Sequence, residues 1–149
     1  DNSDNGNTYG HLYNWYAVND ARGICPAGWH VPSKEEWETL INYLGGIYVA
    51  GGNLKATGTQ YWKSPNYGAT NVSGFNGLPC GIRSSNISSP SYTYYVAMGY
   101  QGYWWIRGEY GDAPYSKLYY ATAYSALSSS EIFSDILKIG GIGVRCVKD

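Results

Sequence analysis

The run Cys25-Pro26-Ala27-Gly28-Trp29-His30-Val31-Pro32-Ser33-Lys34-Glu35-Glu36-Trp37 constrains the fold most, because it sets an ordered loop directly against a helix start. Ser33 and Glu36 form a capping-box pattern, in which each side chain satisfies a backbone N–H at the helix entrance. Pro32 keeps the incoming chain extended. Trp37, Leu40, Ile41 and Leu44 then recur at helical spacing, and Gly45-Gly46 ends the run. The spacing predicts an amphipathic helix over 34–44 that packs a Trp/Leu/Ile stripe into a core.

Around that helix the chain reads as mostly β with many turns. Residues 1–8 are polar and are expected to be mobile; their spacing resembles half of a calcium loop, but Leu12 stands where the closing acid would be. Tyr9 to Val18 has the aromatic and β-branched character of a first strand. Residues 45–75 are Gly, Asn, Ser and Thr interrupted by Tyr61 and Trp62, and are expected to form long ordered loops. Strands are expected over 76–83, 92–105, 115–124 and 137–147. With 149 residues and no internal repeat, a single domain over 1–149 is expected. The formal net charge is −1 and 14% of residues are charged, so no basic character argues for nucleic acid. No apolar run reaches the roughly 20 residues of a membrane helix, so membrane insertion is not expected.

Further blocks accompany the loop and helix. Tyr9-Gly10-His11-Leu12-Tyr13-Asn14-Trp15-Tyr16-Ala17-Val18 precedes them. Leu54-Lys55-Ala56-Thr57-Gly58, Ala69-Thr70-Asn71, Gly74-Phe75 and Leu78-Pro79-Cys80-Gly81-Ile82-Arg83 follow, then Trp104-Trp105 and the closing Gly143-Val144-Arg145-Cys146-Val147-Lys148-Asp149. In this order they resemble the Fibrobacter succinogenes major paralogous domain, a bacterial secreted module, over nearly the whole chain. The resemblance implies an α+β, C-type lectin-like fold related to the formylglycine-generating-enzyme group. Such a fold has mixed or antiparallel β-structure, one or two short helices and long ordered loops. It also implies an extracellular or cell-surface location and a long-range disulfide between Cys25 and Cys146, with two buried free thiols as the alternative. Cys80 is left over and is expected to be a small buried hydrophobe. The family's N-terminal Trp-Met-x-x-Asn-Leu block is absent and the chain begins at Asp1, so a mature or trimmed product is expected.

Catalytic chemistry finds little support. His11 and His30 are the two histidines, and His30 is expected to bond backbone and brace its loop. No compact metal-ligand set is visible, and the paired cysteines of the formylglycine-generating enzymes are not present near Cys146. Glu35 and Glu36 are adjacent, so they leave the helix in different directions and suit capping rather than acid–base work. The Glu-Pro-Asn, Gln-Pro-Asp and Trp-Asn-Asp signatures of calcium lectins are missing. No enzyme activity, cofactor or metal is expected.

The final third points to binding. From Tyr92 to Tyr124 there are ten tyrosines and two tryptophans in 33 residues, more than a core alone would use. Tyr and Trp supply large amphipathic contact area at low rotamer cost. Tyr103, Trp104 and Trp105 are expected in the core, whereas Arg107, Glu109, Tyr110, Tyr115, Tyr119 and Tyr124 are the candidate ligand-binding residues. Replacing Tyr110, Tyr115 and Tyr119 together by Ala is expected to abolish binding with little change in melting temperature. The expected partner is a glycan or a protein, held by an adhesin-like module. Ile106-Arg107-Gly108 stands where the family continues with Ser-Ser-Thr, and Ile132, Phe133, Ile136, Leu137 and Ile139 also depart from its pattern. Departures bunched in this way resemble the variable proteins of diversity-generating retroelements. A surface-filament subunit and a diverged enzyme of the same fold are the remaining alternatives.

Overall fold

The structure, a computed structural model, describes residues 3–86, 89–110, 117–124 and 130–149, with side chains described over 3–84, 94–108 and 137–149. It is an α+β arrangement of short helices and small antiparallel sheets. The helices are α1 (Ser3–Tyr9), α2 (Trp15–Val18), α3 (Lys34–Tyr43) and α4 (Ile47–Leu54). The strands are β1 (Trp29–His30), β2 (Ile82–Asn86), β3 (Ser89–Val96), β4 (Gln101–Tyr110), β5 (Lys117–Tyr124), β6 (Ser130–Ile136) and β7 (Val147–Lys148). They pair as β1–β7, β2–β3 and β4–β5–β6.

The capping box forms as the sequence predicts. The Glu36 N–H donates to Ser33 Oγ and the Ser33 N–H donates to a Glu36 carboxylate oxygen. At the other end Gly45 and Gly46 take φ of 95° and 91°, and their N–H groups close on the carbonyls of Asn42 and Ile41. This is the Schellman pattern, which needs a left-handed residue and so favours glycine.

Four helices replace the expected one or two, and three expectations need correction. Residues 3–9 are helical rather than a mobile lead-in, and Gly10 at φ 81° ends that helix. Tyr9 to Val18 is not a strand, because the Asn14 side chain accepts the Ala17 N–H at 3.0 Å and caps α2. A local cap of this kind competes with strand pairing, and only Tyr13 keeps a bridge, to Ile142. The expected loop 45–75 contains α4. Its Gly51-Gly52 pair suits turns, but Gly52 lies against the Gly68 carbonyl so closely that a Cβ there would sit 2.2 Å from the oxygen. Tertiary packing therefore selects glycine here at the expense of helix propensity.

The strand boundaries also shift. The stretch 92–105 is broken at 97–100, where Ala97 and Gly99 have positive φ. Only Ile82 and Arg83 of the 76–83 expectation are in β2, and Lys117–Tyr124 forms β5. The last expected strand lies earlier, as β6, and 137–147 runs irregularly through single bridges to Tyr13, Arg83 and Trp104 before reaching β7.

Strand β4 separates two cores. Successive side chains of a strand point to opposite faces, so Trp104 and Ile106 join Trp37, Ile41, Leu44, Leu54 and Trp62 on one side. Trp105 joins Trp15, Val18, Val31 and Ile142 on the other. Trp37 and Trp104 stack at 6.2 Å, and Trp105 meets Trp15 at 5.4 Å. The expected core placement of Trp104 and Trp105 is met, while Tyr103 is half-buried.

The polar stretch 55–77 folds onto the first core through inward polar groups. Lys55 is fully buried beneath it, donating from Nζ to the Tyr67 carbonyl at 2.8 Å with its charge over the Trp62 ring. Desolvation pulls the Lys55 pKa down to about 8. Asn66 donates to the carbonyls of Ala56 and Gly58, and Trp62 Nε1 donates to that of Gly77. Cys25 and Cys146 form the disulfide that the family resemblance implies, beside the β1–β7 pair.

Candidate functional site

The expected site residues fall on and beyond the far end of β4. Arg107 is exposed, and its backbone N–H donates to the Pro32 carbonyl at 2.7 Å, fixing the strand against the α3 entrance. Its side chain lines a cleft of about 260 Å³ shared with Trp29, His30 and Asp20. Asp20 already pairs with Arg22 at 2.7 Å, which lowers the carboxyl pKa. Glu109 and Tyr110 end β4 opposite Leu118 and Lys117, and Tyr124 in β5 lies opposite Gln101. Tyr119 is also in β5. The side chains of these four lie outside the described ones, and Tyr115 lies outside the described residues altogether. Ile106 is fully buried in the first core, so that departure from the family pattern changes packing rather than the exposed face.

His30 holds side chains rather than the backbone partner expected of it. Its Nδ1 lies 2.5 Å from Asp149 Oδ1 and its Nε2 lies 2.9 Å from Glu36 Oε1. The Asp149 bond and then the Glu36 bond raise the imidazole pKa. Glu36 is lowered in turn, first by the Ser33 backbone N–H and then by His30. A histidine held between two carboxylates favours its charged form. The arrangement ties β1, the α3 cap and Asp149 together.

A second region was not singled out by the sequence. Adjoining cavities of about 270, 430 and 470 Å³ share walls at Tyr9, His11, Cys80, Tyr95 and Met98. Tyr94, Tyr95, Met98 and Tyr100 are all exposed by 46–60%. Tyr94 and Tyr95 end the two-stranded β2–β3 ribbon, and Met98 and Tyr100 sit in the turn that follows, where the Tyr100 and Gln101 N–H groups both donate to the Ala97 carbonyl. Arg83 and Arg145 line the same trough. The tyrosine run was the one available signal for it, since the basic groups come from distant parts of the chain.

Cys80 is the free cysteine and lies at the trough floor. Its Sγ faces the Tyr103 carbonyl at 3.6 Å, and burial pushes its pKa up. The thiol form is thereby favoured over the reactive thiolate. Among the described residues no group of three or more His, Cys, Asp and Glu is placed to hold a metal ion. No described helix is long and apolar enough to cross a membrane.

No curated protein and no solved structure matches the chain. The family model described as the Fibrobacter succinogenes major domain matches residues 1–148, which spans every element above except the final residue at the His30 bridge. The chain therefore belongs to the Fibrobacter succinogenes major domain family.

Proposed function

We propose that the chain is the ligand-binding module of a secreted or cell-surface protein, built on a C-type lectin-like fold, and that it holds a glycan against its tyrosine-rich face. The observation that carries this reading is the exposure of Tyr95, Met98 and Tyr100 along one trough wall. A contiguous exposed aromatic patch marks an interaction surface more often than chance burial failure. Tyrosine offers sugar rings a flat apolar face and a hydroxyl with few torsions to freeze. Arg107, Glu109, Tyr110, Tyr115, Tyr119 and Tyr124 are carried in this reading as further candidate contacts, with Arg107 at its own cleft beside Trp29 and His30. The β1–β7 pair and the Cys25–Cys146 bond, which bring early and late chain together, support the lectin-like fold.

The test is a glycan array probed with the purified chain, with and without EDTA, beside a Tyr95→Ala/Tyr100→Ala variant. Saturable binding lost in the variant is expected, and loss with EDTA would add a bridging metal. Binding unchanged in the variant overturns the site. A second reading, retroelement diversification, draws on the departures at Arg107-Gly108 and within 132–139. It predicts a template repeat beside the gene whose mismatches fall at adenines, and lack of such a repeat overturns it.

A further inference from the structure

We infer that the trough selects an acidic glycan, a polyuronate-type chain whose carboxylates meet Arg145 and Arg83 while its rings lie on the tyrosines. This rests on the glycan-binding reading above and adds the charge class of the ligand. The first ground is the sign of the lining. Arg83, Arg145 and His11 line the adjoining cavities, and none of their described lining residues is Asp or Glu. That asymmetry stands out in a chain with a formal net charge of −1.

The second ground is how Arg145 is held. Its guanidinium lies 4.7 Å from the Phe75 ring centroid and donates from one nitrogen to the Phe75 carbonyl. Phe75 is itself packed edge-on against Trp37 and Trp104, so the platform belongs to the core. Stacking of this kind fixes the plane of the guanidinium before any ligand arrives. Arg145 is exposed, so its guanidinium is open to a ligand, while packing on Phe75 desolvates it enough to lower its pKa. No ion pair among the described residues involves Arg145 or Arg83. Arg83 is anchored similarly, through a bond to the Ile139 carbonyl and packing of its stem over Gly141.

A pre-oriented, unneutralised guanidinium recognises carboxylate through parallel N–H···O bonds. An acidic sugar polymer supplies a carboxylate and an apolar ring face in the same repeating unit. Tyr9 and Tyr95 line one cavity with Arg83, and Tyr9 lines the adjoining one with Arg145, which suits that alternation better than a compact anion.

The test uses isothermal titration of the purified chain with three probes: a galacturonic acid oligomer, its methyl ester, and polyglutamate. The acid oligomer is expected to bind, and its affinity to fall about tenfold or more on esterification or in an Arg145→Gln variant. An Arg83→Gln variant gives a second reading should Arg145→Gln lower the melting temperature. Equal binding of acid and ester, lost on Tyr95→Ala/Tyr100→Ala, overturns the charge assignment and leaves glycan binding standing. Binding of polyglutamate without either oligomer overturns both, in favour of an acidic protein. Silence of all three probes overturns the acidic-ligand inference, and the array then decides the glycan reading alone.

Discussion

Two stretches of the molecule invert the usual relation between polarity and burial. Residues 55–77 are rich in Asn, Ser, Thr and Gly, yet they send Lys55, Trp62 and Asn66 inward, each to a backbone carbonyl. Residues 94–100 are rich in aromatic and apolar groups, yet Tyr94, Tyr95, Val96, Met98 and Tyr100 all face water. A polar segment can be the rigid part when its side chains replace the missing strand ladder with bonds to its own backbone. An aromatic segment can be the presented part when a tight turn holds it away from the core. Composition says what a segment could bury, and local backbone bonding decides what it does bury.

The contrast can be broken from either side. Trp62→Ala should have the largest effect, a loss of about 3–5 kcal/mol from a cavity in the first core, read by urea unfolding. A loss below 1 kcal/mol, on the order of a surface change, would mean that 55–77 is draped over the body rather than keyed into it. Asn66→Gly keeps the left-handed backbone at φ 43° while deleting two bonds to carbonyls. It should cost about 1–3 kcal/mol, and a neutral result would show that those carbonyls find water.

Lys55 sharpens the comparison through pH. Its folded pKa of about 8 lies below the ordinary 10.5, so across that interval the unfolded chain binds more protons than the folded one. Stability should therefore rise with pH between those values, and the rise should vanish in Lys55→Met once other titrations are subtracted. A flat difference between the two proteins would place Lys55 in contact with solvent. The smallest effect belongs to the presented side: Tyr95→Ser and Tyr100→Ser should each change stability by no more than about 0.5 kcal/mol. A larger drop would show that these rings support the fold, and the trough would lose its standing as a binding face.

The sequence made some of this legible and hid the rest for identifiable reasons. α3 was readable because its cap, stripe and stop are all written within fourteen residues, Ser33 to Gly46. α4 was hidden because Gly51-Gly52 answers to the Gly68 carbonyl, a contact made only on folding. The Cys25–Cys146 bond came through family resemblance, since an odd number of cysteines leaves the pairing open. Arg107 stands out in the sequence because it lies outside the family blocks in the Tyr-rich third, and the structure sets it at a cleft apart from the trough. The trough was missed because Tyr9, Arg83, Tyr95 and Arg145 are scattered along the chain, and no periodicity links residues joined by tertiary packing. His30 was read as a backbone brace because its partner Asp149 lies 119 residues away.

The disulfide has a mechanical consequence. Cys25 and Cys146 are separated by 121 positions, and Arg83, Tyr95, Met98 and Arg145 of the trough lie inside the loop they close, whereas Tyr9 and His11 lie ahead of it. Tension pulled between the chain ahead of Cys25 and the chain beyond Cys146 runs through the sulfur–sulfur bond and bypasses everything between. The load instead falls on residues ahead of Cys25, where Trp15 and Val18 are wedged beside Trp105. Arg83, Tyr95, Met98 and Arg145 are thus passengers under force, whereas the Tyr9 and His11 wall of the trough rides on the loaded arm and parts from them when α2 is stripped from its seat.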